Sequence, residues 1–309
     1  MRLLSCGILT NETGSLRTPP STRAWGAILL TGSLAAAGVM GQFGNVEATM
    51  FAPPAAGAYT STNWSGYADV ANSGYSFTNV TAQWTIPAVQ KPTGSSSSYS
   101  AFWVGLDGFN NSTVEQTGVL AQIASNGTKT YYPWYEMYPS AMQEITSFTV
   151  SPGDTISAAV KYDTTTSEFD LTISDTTSGG SYSISQSAPG AARTSAEWIA
   201  EAPTIQNIGG RQHLSTLADF GSVRFSSASE SLLNSSGGVT TGTINGLSAA
   251  TVDSIAMVTS SGADEAIPSS LSSSGSAFTI TYVPEPATLA LLAVGGLGLL
   301  MRRRKKVES

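Results

Sequence analysis

Two glutamates, Glu197 and Glu201, stand four residues apart in the stretch "SAEWIAEAP", in a chain of which only 11% of the residues are charged. The helical period of 3.6 and the strand period of 2 both return to one face after four residues, so the two carboxylates share a face in either structure. A carboxylate can take a proton from water and return it to a leaving group, which is general acid–base catalysis. Periodicity alone does not decide which of the two glutamates would do so.

Other common catalytic sets lack the residues that they need. The only histidine is His213, in "RQHLS", and no "GxSxG" stretch accompanies it, so a Ser-His-Asp triad is not indicated. The only cysteine, Cys6, lies far outside the middle of the chain, which therefore has no thiol nucleophile, disulfide or Cys-based zinc site. A pair of catalytic aspartates would need two similar loops, and "GLDGFN" around Asp107 occurs once. What remains is carboxylate chemistry.

Four stretches place aromatic residues beside isolated polar groups: "NWSGY", "FWVGLDG", "VEQTGV" and "YYPWYEMYP". Any single tryptophan among them could be an ordinary core residue or cross-strand partner. Together with Gln116, Glu136 and the glutamates of "AEWIAE", they indicate a cleft. Its apolar walls would hold a polymeric substrate and perturb a carboxyl group.

The elements that must position these residues are β-strands. Short segments of alternating polarity, such as "NVTAQWTIP", "EITSFTVSPGDTISAAVKY", "EFDLTISDTTSGGSYSISQ" and "GSAFTITYV", are separated by Gly, Asn, Ser and Pro. This pattern predicts an all-β sandwich or barrel. The "SPGD" at 151–154 and "TTSGGS" at 176–181 predict turns between antiparallel strands. The serine-rich "GSSSSYS" at 94–100 predicts a surface loop.

Both ends of the chain carry segments typical of export. Near the N-terminus, "AWGAILLTGSLAAAGVMG" follows two arginines, giving the basic flank, apolar run and small residues of an export signal. At the other end, "VPEPATLALLAVGGLGLLMRRRKKVES" places an apolar stretch, 287–301, before five basic residues, which are retained on the cytoplasmic side of a membrane. We predict a lead and export signal at 1–47, a linker or pro-segment at 48–59, a folded domain at 60–283 and a sorting segment at 284–309.

The order Pro-Glu-Pro, apolar helix and basic cluster resembles the PEP-CTERM sorting signal of Gram-negative bacteria. That resemblance implies export, transient anchoring by a transmembrane helix, and removal by an exosortase-type machinery, which leaves the protein extracellular or associated with the cell envelope. A permanent single-span anchor is the alternative.

The predicted folded domain is acidic. Between residues 48 and 283 there are 17 Asp and Glu against 6 Lys and Arg, so nucleic acid is not expected as a partner.

Taken in order, "NWSGY", "FWVGLDG", "EQTGV", "PWYEMYP", "AEWIAE" and "LADFGSVRF" resemble the successive motifs of the glutamic peptidases, the eqolisin family of acid endopeptidases. The resemblance spans about 220 residues. It implies a sandwich of two large antiparallel sheets, of the concanavalin A-like or eqolisin type, a polypeptide substrate, and no metal or cofactor. We expect a monomer that is active in acid, roughly from pH 2 to 5 for an ordinary or modestly shifted Glu.

The resemblance also implies residue roles. The catalytic pair is Gln116, of the "QTG" motif, and Glu201, the second glutamate of "EWIAE"; Gln83 is an unfavoured competitor, and Glu197 is assigned a supporting role. The residues expected to line or support the substrate cleft are Trp64, Trp103, Asp107, Trp134 and Glu136.

The chain departs from the pattern of the fungal members at two places. Fungal members usually have Asp where this chain has Leu120, and an acidic-aromatic run where it has "APT" at 202–204. Both changes are expected to alter subsite preference.

Two alternative functions remain open. The first alternative function is a noncatalytic sandwich that binds polysaccharide or matrix protein. The second is a carbohydrate-cleaving enzyme with Glu136 and Glu201 as its two carboxylates, which leaves the "QTG" motif unexplained.

Overall fold

Nineteen β-strands and no helix make up the part of the chain that the computed structural model describes, residues 2–3, 58–206 and 210–284. The apolar segments predicted as export and sorting signals lie outside these ranges. No helix within them is long and apolar enough to cross a membrane. The strands are β1 (Arg2–Leu3), β2 (Ala58–Ser61), β3 (Trp64–Ala71), β4 (Tyr75–Thr85), β5 (Ser98–Leu106), β6 (Val114–Ile123), β7 (Lys129–Tyr138), β8 (Gln143–Glu144), β9 (Thr155–Asp163), β10 (Glu168–Asp175), β11 (Ser181–Gln186), β12 (Ser195–Glu201), β13 (Thr204–Gln206), β14 (Gln212–Leu214), β15 (Ser222–Asn234), β16 (Val239–Gly242), β17 (Ala250–Val258), β18 (Asp264–Pro268) and β19 (Phe278–Tyr282).

Sixteen of these strands form one continuous, mainly antiparallel sheet. Its path runs β11-β10-β9-β4-β15-β19-β18-β17-β3-β12-β5-β6-β7-β8, with β16 beside β15 and β2 beside β17. The pair β2 and β17 is parallel. Strands β1, β13 and β14 form a small separate sheet.

The long sheet folds over on itself, so that β4, β9 and β10 face β12, β5 and β6 without pairing with them. The apolar core fills the space between these two halves. The indole of Trp198 on β12 is buried in this core and donates a hydrogen bond of 2.9 Å to the Thr81 carbonyl oxygen on β4. The predicted all-β sandwich is confirmed.

Strand alternation divides β12 between two environments. Ala196, Trp198 and Ala200 point into the core between the halves. Ile199 belongs instead to a second buried cluster, with Trp64, Trp103 and Trp134, on the opposite face of the same half-sheet. Glu197 and Glu201 share that face by the period of two. We call it the site face: the side of β3, β12, β5, β6 and β7 that is turned away from the core.

Most of the predicted strands and turns are confirmed. Strands β4, β9, β10, β11 and β19 lie in the segments that alternation indicated, and the turn at 151–154 closes with a 3.1 Å hydrogen bond from the Asp154 amide to the Ser151 carbonyl. The loop predicted at 94–100 is wrong in its second half. Ser98 and Ser100 are buried in β5, where Ser100 Oγ donates to the Ala218 carbonyl oxygen at 3.0 Å. Residues 145–150, where alternating polarity predicts a strand, form no strand.

Candidate active site

The carboxylate of Glu201 is held by two side-chain N–H donors. Trp103 on β5 donates its indole N–H to Glu201 Oε2 at 2.8 Å. Asn63, just before β3, donates its amide N–H to Glu201 Oε1 at 3.4 Å. The Ser61 hydroxyl donates to the Asn63 amide oxygen at 2.9 Å, which turns the amide nitrogen toward Glu201. Hydrogen bonds of this kind favour the ionised form of a carboxyl group.

The amide of Gln116 is oriented by Glu136. These residues lie opposite each other on β6 and β7, and Gln116 Nε2 donates to Glu136 Oε2 at 2.7 Å. Both side chains are fully buried. The amide nitrogen of a glutamine carries two N–H groups, and this hydrogen bond directs one of them at Glu136.

Trp103 lies between these two groups. Its pyrrole N–H reaches Glu201, while its six-membered ring extends along β5 toward Gly105. A Cβ placed on Gly105 would lie 3.0 Å from both Trp103 Cζ3 and Gln116 Cβ. Because Gly105 has no side chain, the ring of Trp103 and the stem of Gln116 can meet above the backbone of β5.

Aromatic rings extend this surface across neighbouring strands. Trp64 and Trp103 pack edge to face, with ring centroids 4.9 Å apart, and Trp134 lies opposite Gly118 on the adjacent strand. Among the described residues, neither the Trp64 nor the Trp134 indole N–H has a hydrogen-bond partner, although both are buried. Buried donors of this kind are available to an acceptor that a ligand brings.

Glu197 lies in a different setting from Glu201. It is in register with Gly105 and, through it, with Gln116. Its side chain is fully buried, and burial raises its pKa well above the ordinary value. The Ser195 hydroxyl lowers the pKa by less, and the nearby charges of Asp107 and Glu115 raise it further. Glu197 is therefore held as a neutral acid in the pH range where Glu201 would act.

The carboxylate of Asp107 is hydrogen-bonded to other groups of the protein and does not face outward. It accepts hydrogen bonds from the backbone amides of Arg193 at 2.6 Å and Thr194 at 2.7 Å, and from the Asn111 side chain at 2.6 Å. The residue is fully buried with φ of 69°. A direct peptide contact, as the family resemblance implied, stays a prediction, and these contacts favour a structural role.

The structure brings six of the predicted residues together on adjacent strands: Trp64, Trp103, Gln116, Trp134, Glu136 and Glu201. Gln83 lies on β4 in the other half of the sandwich, paired with Ser157. His213 is exposed on β14. Within the described ranges, no three His, Cys, Asp or Glu side chains converge to hold a metal ion.

Sequence reasoning missed two polar residues near the site. Asn63 stands in the quoted motif "NWSGY", and an Asn beside a buried Trp was the available signal. Glu115 is the residue before Gln116 and points to the opposite face of β6. Burial, and then the charge of Asp107, raise its pKa to about 9.

Gly118 is the position where a small change is expected to disturb the site most. A Cβ there would collide with the Phe102 carbonyl oxygen and lie 2.6 Å from Trp103 Cβ. Gly118→Ala is expected to destabilise the protein by about 1–3 kcal/mol, because overpacking forces the backbones apart, and to lower activity by displacing Trp103. Chemical denaturation measures the first effect. Gly190→Ala is the control, since its nearest neighbour is 3.9 Å away; equal stability of the two variants would contradict the prediction.

Comparison with known proteins gives the class of this protein. The fold is that of the β-sandwich peptidases, which are hydrolases that act on peptide bonds. A profile of the peptidase A4 family matches residues 62–282. The chain belongs to the peptidase A4 family, which is the eqolisin family.

Relatives in this family resemble the chain along most of the folded region. Aspergillopepsin-2 of Aspergillus niger is 33% identical over 244 residues, which are 72% of this chain and 78% of that protein. Scytalidopepsin B of Scytalidium lignicola is 33% identical over 148 residues, which are 47% of this chain and 53% of that protein. The structure of scytalido-glutamic peptidase with a transition state analog inhibitor superposes with a TM-score of 0.56 and 28% identity. It covers 72% of this chain and 98% of that one.

The C-terminal prediction is also supported. A PEP-CTERM protein-sorting motif matches residues 283–305.

Proposed function

We propose that the chain is an exported acid endopeptidase in which Gln116 and Glu201 act together on a water molecule and a peptide carbonyl. One observation carries the proposal: on one face, a carboxylate held by an indole N–H and an amide held by Glu136 lie to either side of Trp103. Family membership supports the reaction class.

Glu201 is the proposed base. The N–H groups of Trp103 and Asn63 favour its ionised form, which can accept a proton from water. The water oxygen then attacks the peptide carbonyl. The protonated Glu201 returns its proton to the nitrogen of the leaving amine as the C–N bond breaks.

Gln116 is the proposed oxyanion donor. Its Nε2 carries two N–H groups, and Glu136 accepts a hydrogen bond from one. In the reaction the Gln116 amide would donate to the carbonyl oxygen as negative charge develops there. Because Glu136 orients the amide before substrate arrives, little reorganisation is needed in the transition state.

The tryptophans are the proposed binding surface for an extended peptide. The indole N–H groups of Trp64 and Trp134 are suited to donate to backbone carbonyls of the substrate, and the rings supply apolar contact. Leu120, also buried on the site face and in register with Ala101, adds an apolar wall near Glu201. A solved relative, SCP-B, which is 26% identical, was determined in a complex with the tripeptide Ala-Ile-His.

The proposed place of action is outside the cytoplasm of a Gram-negative bacterium. The sorting motif at 283–305 supports export and processing by an exosortase-type enzyme after transient membrane anchoring. The acidic domain disfavours nucleic acid as a partner. We propose that the processed domain acts as a monomer on polypeptides.

Incubation of the purified protein with a denatured protein substrate tests the function. Peptide products identified by mass spectrometry are expected between about pH 2 and 5, without added metal. Pepstatin, which addresses a paired-aspartate site, is not expected to inhibit the reaction. Retention on polysaccharide or matrix protein with no cleavage between about pH 2 and 7 would replace the proposal with the binding-module alternative.

A further inference from the structure

Two loops are joined by a single buried carboxylate. The first, residues 107–113, connects β5 to β6, and the second, residues 187–194, connects β11 to β12. Asp107 Oδ2 accepts from the Arg193 backbone amide, and Oδ1 accepts from the Thr194 backbone amide, at 2.6 and 2.7 Å. The Asn111 amide also donates to Oδ1, at 2.6 Å. The Thr194 hydroxyl, 3.3 Å from Oδ1, donates to Asn110 Oδ1 at 2.7 Å.

These three donors occupy most of the acceptor capacity of Asp107 and leave little for a substrate. A carboxylate offers about four acceptor positions, and the side chain is fully buried. The guanidinium of Arg193 is turned elsewhere: it lies 3.9 Å from the centre of the Tyr162 ring, and Nη1 donates to the Phe77 carbonyl oxygen at 3.4 Å. The hydrogen-bond donors that Asp107 accepts from are therefore backbone and side-chain N–H groups and not this cation.

The joined loops lead directly into the strands of the site. The Asp107 amide donates to the Ser195 carbonyl oxygen at 3.0 Å, where β12 begins on its way to Glu201. The loop 107–113 enters β6 two residues before Gln116. Its Gly108 packs so closely that a Cβ there would lie 3.1 Å from Trp64 Cη2.

Two neighbouring carboxyl groups have raised pKa values. Burial, and then the charge of Asp107, raises the pKa of Glu115 to about 9. Glu197, on the site face of β12, has a pKa raised well above the ordinary value by burial. Both shifts favour the neutral form of these two groups in acid.

We propose that Asp107 is a positioning residue, which sets the strand of Gln116 against the strand of Glu201 by tying the two loops together. This inference rests on the proposed function, because it concerns the placement of the same catalytic pair. In this proposal Asp107 acts through the two loops, without touching the reacting water or the peptide.

Asp107→Asn tests the proposal. An amide has one acceptor oxygen, and its NH₂ would face backbone N–H groups that now donate to a carboxylate. We expect kcat to fall on the order of 100-fold, because small misplacement of catalytic groups is costly, with KM changed by less than about threefold. We also expect faster hydrogen–deuterium exchange at the Arg193 and Thr194 amides. Asp163→Asn is the matched control, since Asp163 accepts the Thr165 amide at 2.7 Å in the β9–β10 turn.

The possible outcomes separate this inference from the proposed function. If the wild type cleaves peptides and Gln116→Ala does not, the function stands and the Asp107 variant is informative. A raised KM with unchanged kcat would make Asp107 a peptide contact, and a lowered unfolding midpoint with unchanged kcat would make it purely structural. Either result, or unchanged exchange at Arg193 and Thr194, overturns the proposal. An inactive wild type, or an active Gln116→Ala variant, overturns the function instead, and the positioning role falls with it.

Discussion

Deprotonation of Glu115 and Glu230 is expected to lower the free energy of unfolding of the purified protein by about 5 kcal/mol between pH 5 and pH 7. Burial raises the pKa of Glu115 to about 9 and, with the charge of Asp69, that of Glu230 to about 11. Glu230 on β15 and Asp69 on β3 are both fully buried. Burial likewise raises the pKa of Asp69, against smaller lowering effects of Glu230 and of the Asn245 amide, which donates to Asp69 Oδ2 at 3.0 Å.

The sign follows from proton counting. In the unfolded chain a Glu titrates near its ordinary value of about 4.3, whereas in the folded protein Glu115 and Glu230 keep their protons well above it. The stabilisation is complete below the unfolded pKa and is lost as the pH rises toward the folded pKa. Each such group contributes a slope of about −1.4 kcal/mol per pH unit. The loss is comparable with the whole stability of a typical domain, about 5–15 kcal/mol.

Chemical denaturation followed by tryptophan fluorescence at pH 4, 5.5 and 7 measures this slope. Glu115→Gln and Glu230→Gln mimic the protonated side chains, and each is expected to flatten the dependence by about 1.4 kcal/mol per pH unit. Glu168→Gln, at a half-buried position of β10, is the control. Stability that is constant or increases from pH 4 to 7 would contradict the prediction.

Glu201→Gln is expected to lower kcat by roughly 100- to 10,000-fold, because the base that takes the proton from water is removed. The glutamine can still accept from Trp103, so the protein should remain folded. Gln116→Ala is expected to cost roughly 100- to 1000-fold through loss of the oxyanion donor. Initial rates on one peptide, together with circular dichroism, check both variants.

Glu197→Gln is the matched control for the choice of base. Glu197 is buried and held neutral, so replacing it by an isosteric amide is expected to cost at most about tenfold, far less than the loss of a general base. An inactive Glu197→Gln beside an active Glu201→Gln would reverse the assignment. Full activity in both Glu201→Gln and Gln116→Ala would remove the catalytic pair altogether.

The strands were predictable where alternation is strong and not where serine replaces apolar residues. "NVTAQWT" alternates clearly and forms most of β4. The pattern of "SSYS" predicts a loop, yet Ser98 to Ser100 are buried in β5, where the Ser100 hydroxyl is satisfied by the Ala218 carbonyl oxygen. The composition of the segment does not reveal this hydrogen-bond partner, because Ala218 lies 118 residues away in the chain.

The same limit applies to the site. Glu197 and Glu201 were expected on one face from their spacing, and strand β12 agrees with that expectation. Spacing could not reveal that Asn63 and Trp103 approach Glu201 while Glu197 is enclosed among carboxyl groups, since cross-strand register decides both. Asp107 is a further example. The sequence does not distinguish an aspartate that is buried and hydrogen-bonded within the protein from one that binds substrate.

The path of the long sheet also bears on the tendency of the protein to aggregate. The path ends at β8, of only two exposed residues, and at β11, which turns Ser181, Ser183 and Ser185 outward. A very short edge and a polar edge offer poor templates for a strand from another molecule. A folded region that has no cysteine to cross-link it is thus protected at the two ends of this path against pairing with a strand of another molecule.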